Sequence, residues 1–138
     1  MSGNNPSTNS TGNDFLRYNW PSLIWAAIIL WLCLMHASSL PKITIPNFDK
    51  VVHFTLYFVL TSLMVYGWNK QHSFIWLRKN YIIKIILSAS AYGLSIEIMQ
   101  ELFTTDRHFE WLDEAANATG AMVGTLTAVK IFKELIRH

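Results

Sequence analysis

Residues 19–41 read NWPSLIWAAIILWLCLMHASSLP, and none of them carries a formal charge. About 20 residues of helix cross the ~30 Å hydrocarbon layer of a bilayer. Trp20–Ser39 is mostly apolar and has that length. Pro21 is expected in the first helical turn, where its missing N–H is harmless. Trp20 stands where an interfacial aromatic anchor belongs. The following LPKITIP, residues 40–46, breaks the helix twice, because each proline pushes its predecessor out of the α region. The stretch therefore predicts a membrane-spanning helix over about 20–39.

Three similar segments follow. Val51–Asn69 has no formal charge, which predicts a second span over about 49–68, with Asp49 suited to its N-terminus. A third span is predicted over 81–103, with Lys84 near one end and Glu97 near the other. A fourth runs over about 113–135, where Lys130 and Lys133 can snorkel at the far end. Residues 1–14, rich in Asn, Ser, Thr and Gly, are expected to form a flexible cytoplasmic tail. No basic start followed by an apolar core precedes the first span, so that span is expected to stay as an anchor. The fold class expected is all-α: one integral membrane bundle of four transmembrane helices over 15–138.

Composition agrees. Charged residues make up 14% of the 138 and apolar ones 51%, whereas soluble domains carry roughly 25% charge. This excludes a disordered chain and an ordinary soluble domain. A net charge of +2 gives no case for a nucleic-acid partner. The lone Cys33 excludes an intramolecular disulfide and a four-cysteine zinc site, and its apolar surroundings read as packing.

Orientation follows from the basic residues. Lys70, Arg78, Lys79 and Lys84 gather around the second connection, and Lys130, Lys133 and Arg137 at the C-terminal end. The positive-inside rule places both groups in the cytoplasm. Both termini are then cytoplasmic, and the first and third connections face outward.

With that orientation, the polar residues that look out of place meet at the outer end. Asp49, Lys50 and His53 open the second span. Glu97, Gln100 and Glu101 close the third, and Arg107 lies in the outer connection. Asp113 and Asn117 open the fourth. Asp49, His53 and Tyr57 are spaced i, i+4, i+8 and form one stripe. Ala116, Gly120 and Gly124 form a small-residue ladder that lets helix backbones approach closely in lipid. Bland readings stand beside these. Asp49 and Asp113 can be simple N-caps, and His53 an interfacial residue bonded to a neighbour. Glu97 is harder to dismiss, since a carboxylate in a span costs roughly 2.5–3.5 kcal/mol on insertion scales. A purely structural pairing of Glu97 with His53 or Arg107 stays open.

The ordered series Asp49-Lys50-x-x-His53-x-x-x-Tyr57, Glu97-x-x-Gln100 and Arg107-x5-Asp113-x3-Asn117-x-x-Gly120 resembles the VanZ-like family. These are small bacterial membrane proteins named after a teicoplanin-resistance factor. The resemblance covers about Pro41–Gly124. It implies a four-helix protein of the bacterial plasma (inner) membrane, linked in its founding member to glycopeptide tolerance. It supplies no reaction and names no cofactor.

Three functions compete. In the first, the outer cluster binds a cell-envelope, lipid-headgroup or glycopeptide-type ligand. Lys50 and Arg107 contact its phosphate or carboxylate, and Gln100 and Asn117 give neutral hydrogen bonds. In the second, the chain is an intramembrane enzyme acting on an envelope lipid or cell-wall precursor. His53 is then a base or metal ligand, and Glu97 and Asp113 are acids or further ligands. In the third, the charges form only a buried structural network. Four spans without an inverted repeat make a complete transporter only by oligomerising, so a homo-oligomer stays open alongside the lipid bilayer as a partner.

Overall fold

The computed structural model describes residues 11–35, 46–105 and 108–137, which form helices and no strand. Helix α1 spans Thr11–Leu34, α2 Phe48–Lys70, the one-turn α3 Ile75–Arg78, α4 Tyr81–Phe103 and α5 Trp111–Arg137. Two of them, α2 and α4, are apolar and long enough to cross a membrane by length and composition.

The first helix departs from the sequence reading. It begins at Thr11 rather than near residue 20, so residues 11–14 are helical rather than tail, and Pro21 lies inside the helix instead of in its first turn. The physical reason is docking. The Asp14 carboxylate accepts the His72 backbone N–H at 2.7 Å, and Phe15 packs edge-on to Phe74 with ring centroids 5.3 Å apart. Those contacts hold a polar stretch of weak helix propensity against the segment between α2 and α3. The helix ends at Leu34, and the expected continuation to residue 39 lies outside the described residues. Helices α2 and α4 each begin after an asparagine in the left-handed region, Asn47 (φ 59°) and Asn80 (φ 55°). Asparagine tolerates that conformation better than most residues.

Contacts set the directions. Asn19 lies against Gly67, while the Trp25 indole N–H donates to the Leu56 carbonyl at 2.9 Å, so α1 and α2 run antiparallel. The Tyr92 hydroxyl donates to the Ala26 carbonyl at 2.6 Å and the Gln100 amide to the Cys33 carbonyl at 2.8 Å, so α4 runs parallel to α1. Lys50 meets Asp113 and Thr61 meets Ala121, so α5 runs parallel to α2. The four long helices alternate up and down, with α2 touching the other three. The start of α1 and the end of α5 share one end of the bundle. The opposite end collects the starts of α2 and α5 and the ends of α1 and α4.

The interior is mixed and the surface apolar. Ile29, Cys33, Leu56, Tyr57, Leu60, Ala89, Ile96 and Ala121 form the central core, and Val65, Ile85 and Val129 a second one nearer the chain ends. Among them are buried His53, Thr61, Glu97, Asn117 and Thr125, while Trp31, Ile83, Leu87, Leu126 and Ile131 face outward. Water-facing proteins do not show such large apolar surfaces. The arrangement fits a lipid surrounding, with apolar side chains facing outward and polar ones turned into the bundle.

Gln71 closes the end of α2. It is fully buried; its Nε2 donates to the Phe74 carbonyl at 2.9 Å, and its Oε1 accepts the Phe74 N–H at 2.7 Å. Gln71→Ala removes both bonds and leaves the Phe74 N–H unpaired, while the Phe74 carbonyl keeps the Leu77 N–H, at about 1–3 kcal/mol. A lowered melting temperature in detergent is expected; an unchanged one would show that the turn holds without this clasp.

Candidate functional site

The polar end of the bundle is built mainly from three helices. From the first turns of α2 come Asp49, Lys50 and His53; from the last turns of α4, Glu97; from the start of α5, Asp113, Glu114 and Asn117. Glu110 stands just before α5. Both α2 and α5 present their N-termini here, where the helix dipole favours negative side chains.

Two layers are distinguishable. In the outer one, the Lys50 ammonium is 2.5 Å from Asp49 Oδ2, 2.6 Å from Glu110 Oε2 and 2.8 Å from Asp113 Oδ1. The sequence reading has Lys50 as a contact for an anionic ligand. The structure instead sets it among three carboxylates, so as arranged it is an internal counter-ion and the mouth of the site is acidic.

In the deeper layer, His53 Nδ1 lies 2.9 Å from Asn117 Oδ1, and the Asn117 amide nitrogen lies 3.4 Å from Glu114 Oε2. With Asn117 Nδ2 donating to Glu114, its oxygen is the acceptor for His53, so Nδ1 carries the proton. His53 Nδ1 is also 3.9 Å from Glu97 Oε1, and Nε2 is 3.9 Å from Asp113 Oδ2. Glu97 is 0% exposed. Gly93 leaves the space for this layer, since a Cβ there would sit 2.8 Å from Glu114 Oε2 and 3.0 Å from Asn117 Nδ2.

Of the residues singled out from sequence, Asp49, Lys50, His53, Glu97, Asp113 and Asn117 come together. Tyr57 lies one turn deeper on the α2 stripe and is fully buried. The Gln100 amide nitrogen donates to the Cys33 carbonyl of α1 at 2.8 Å. Glu101 accepts the Phe109 N–H at 2.8 Å on the exposed flank. Arg107 lies outside the described residues. Ala116 is half-buried, and Gly120 and Gly124 lie one and two turns below Asn117, against Phe54 and Phe58 of α2. Glu110 and Glu114 are site residues that the sequence reading did not select. Their signal was present, since each stands three residues before a chosen one, Asp113 and Asn117, at helical spacing.

Among the described residues, two groups have cation-ligand composition, His53 with Glu97 and Asp113, and Asp49 with Glu110 and Asp113. Lys50 already fills the second. The first remains a set of one imidazole and two carboxylates, suited to proton transfer or to a divalent ion.

Comparison with curated proteins and with solved structures gives no significant match. The family model described as VanZ/LLP1 matches residues 3–133, nearly the whole chain, and the chain therefore belongs to the VanZ/LLP1 family.

Proposed function

We propose that the chain is a four-span protein of the bacterial plasma membrane, with both termini in the cytoplasm, whose outer-facing polar end binds an envelope ligand. The ligand class is a lipid-linked or cell-wall-derived headgroup or a glycopeptide-type molecule, and the expected outcome is a contribution to glycopeptide tolerance. Membership in the VanZ/LLP1 family supports a membrane protein related to glycopeptide resistance. The observation that carries the site reading is Glu97: a carboxylate at 0% exposure, set beside His53 in a helix apolar enough to cross a membrane. The up-down order of the helices supports common-side termini, and the basic residues support the cytoplasmic side.

Single cysteines at the positions of Lys42, Lys79 and Arg107, introduced with Cys33 replaced, test the orientation. In intact cells an impermeant maleimide is expected to label the first and third positions and leave the second dark. Labelling at position 79 from outside would reverse the orientation and put the polar site in the cytoplasm. For the site itself, Glu97→Gln is expected to lose ligand binding or tolerance at undiminished membrane abundance.

The enzyme reading is favoured by one observation, the His53–Glu97–Asp113 grouping, which places a potential base between two potential acids. A product formed from an envelope lipid by the purified protein, and lost in His53→Gln, would move the account to that reading.

A further inference from the structure

We propose that His53, Glu97 and Asp113 hold a divalent first-row cation, of the Zn²⁺ or Mn²⁺ class. Each of the three offers a ligand atom within 4.8 Å of the other two. His53 and Glu97 are buried and Asp113 half-buried, so the set is shielded from competing bulk water.

The orientation of His53 points to the ion. Asn117 Oδ1 accepts the Nδ1–H hydrogen bond at 2.9 Å, which leaves Nε2 of the neutral ring as an acceptor. That acceptor faces Asp113 Oδ2 at 3.9 Å. Two acceptors repel at this distance, and it is too long for the N–H···O bond an imidazolium would make. Two ligands at ~2.0–2.1 Å on a tetrahedral ion are roughly 3.4 Å apart, so a closure of about half an ångström brings both onto one cation. Metal-binding histidines commonly donate their second ring N–H to an oxygen that fixes the ring, which is the part Asn117 plays. Asp113 divides its oxygens in a corresponding way, Oδ1 toward Lys50 at 2.8 Å and Oδ2 toward His53.

A second, independent observation lies one turn deeper. Tyr57 is 0% exposed, yet its hydroxyl has no hydrogen-bond partner among the described residues. It shares the α2 stripe with His53, and its electrostatic neighbours are Cys33 and Tyr92 first, then the carboxylates of Glu114 and Glu97. A buried phenol left this way calls for a further oxygen in the same interior, such as water or a ligand atom carried by the ion.

The ion would also resolve a difficulty of charge. Lys50 is committed to three carboxylates, so an anionic headgroup approaching this end meets an acidic mouth. A cation behind it, held by neutral His53 and two carboxylates, can accept a phosphate or carboxylate oxygen as a further ligand. This role rests on the outer-site reading, whereas binding of the ion does not.

The test uses the full chain in detergent or nanodiscs, stripped with chelator and titrated with Zn²⁺ and separately with Mn²⁺. One ion per chain is expected, together with a rise in melting temperature. Affinity should fall at least tenfold in His53→Gln and Asp113→Asn, and by about tenfold in Asn117→Ala, which touches the ring but no ion. Glu134→Gln, at the far end of α5, should bind as wild type. Wild-type protein that takes up neither ion, or uptake that survives both His53→Gln and Asp113→Asn, overturns the proposal. If the headgroup or glycopeptide still binds to the chelator-stripped protein as before, the outer-site reading stands and the cation is not part of it. If the ion binds as described and tolerance is unaffected by the same substitutions, the cation site stands and the outer-site reading falls.

Discussion

Gly120→Leu and Gly124→Leu are expected to remove most of the folded protein from the membrane, and the corresponding alanine variants are expected to be damaged already. The reason is the closeness of two parallel helices. A Cβ at position 120 would fall on the Phe54 carbonyl oxygen and lie 3.0 Å from Phe54 Cα. At position 124 it would fall on the Phe58 carbonyl oxygen and lie 2.6 Å from Thr61 Oγ1. The obstructing atoms are mainly backbone, which cannot rotate aside as a side chain can. Hydrogen bonds cross the same seam: the Thr61 hydroxyl lies 3.1 Å from the Ala121 carbonyl and the Ser62 hydroxyl 3.4 Å from that of Gly124. Pushing α5 away to admit a methyl group weakens both and opens packing along the ladder. Overpacking of this kind costs about 1–3 kcal/mol for a small group and more for leucine. Against a total stability of roughly 5–15 kcal/mol, leucine at either position is severe. Membrane abundance and melting temperature in detergent are the readouts, in the order wild type, alanine, leucine. Wild-type behaviour of all four variants would mean that α2 and α5 do not meet along this face.

The ladder was legible because its signal is local: small residues every fourth position on one helix. The apolar lengths of α2 and α4 were legible for the same reason. What was not legible depends on partners distant in sequence. The helical state of residues 11–19 rests on Asp14 and Phe15 reaching His72 and Phe74, almost 60 residues away. No periodicity in a polar stretch announces such docking. Lys50 shows the same limit at the site. Its position at the mouth could be read from helical phase, but its commitment to Glu110 and Asp113 depends on how α5 enters the bundle. Gln100 could be placed at the correct end, yet its amide donates to the Cys33 carbonyl, which only the α1–α4 contact brings near. Convergence of His53, Glu97 and Asp113 was readable because three helical phases and one orientation rule suffice to predict it.

The second large effect is expected at Glu97. Its carboxylate is fully buried 3.9 Å from His53 Nδ1, the ring nitrogen that the Asn117 amide oxygen also meets. Glu97→Gln preserves volume and one acceptor oxygen, and removes the charge whose burial costs a helix roughly 2.5–3.5 kcal/mol on insertion scales. If Glu97 served only to knit the bundle, a neutral amide would insert more readily, and Glu97→Gln would be milder than Glu97→Ala in both abundance and function. If Glu97 belongs to a binding site, the same substitution should leave a well-inserted protein that no longer works. Arg107→Lys adds a second probe, since lysine keeps the charge but loses the two-pronged contact that arginine makes with a carboxylate or phosphate.

The central claim is therefore tested most directly by measuring membrane abundance and glycopeptide tolerance together, in the same cells, for wild type, Glu97→Gln and Arg107→Lys. The account predicts normal abundance with tolerance lost in Glu97→Gln and reduced in Arg107→Lys. Full tolerance in both variants at normal abundance would contradict it, and would leave the polar end of the bundle a structural network.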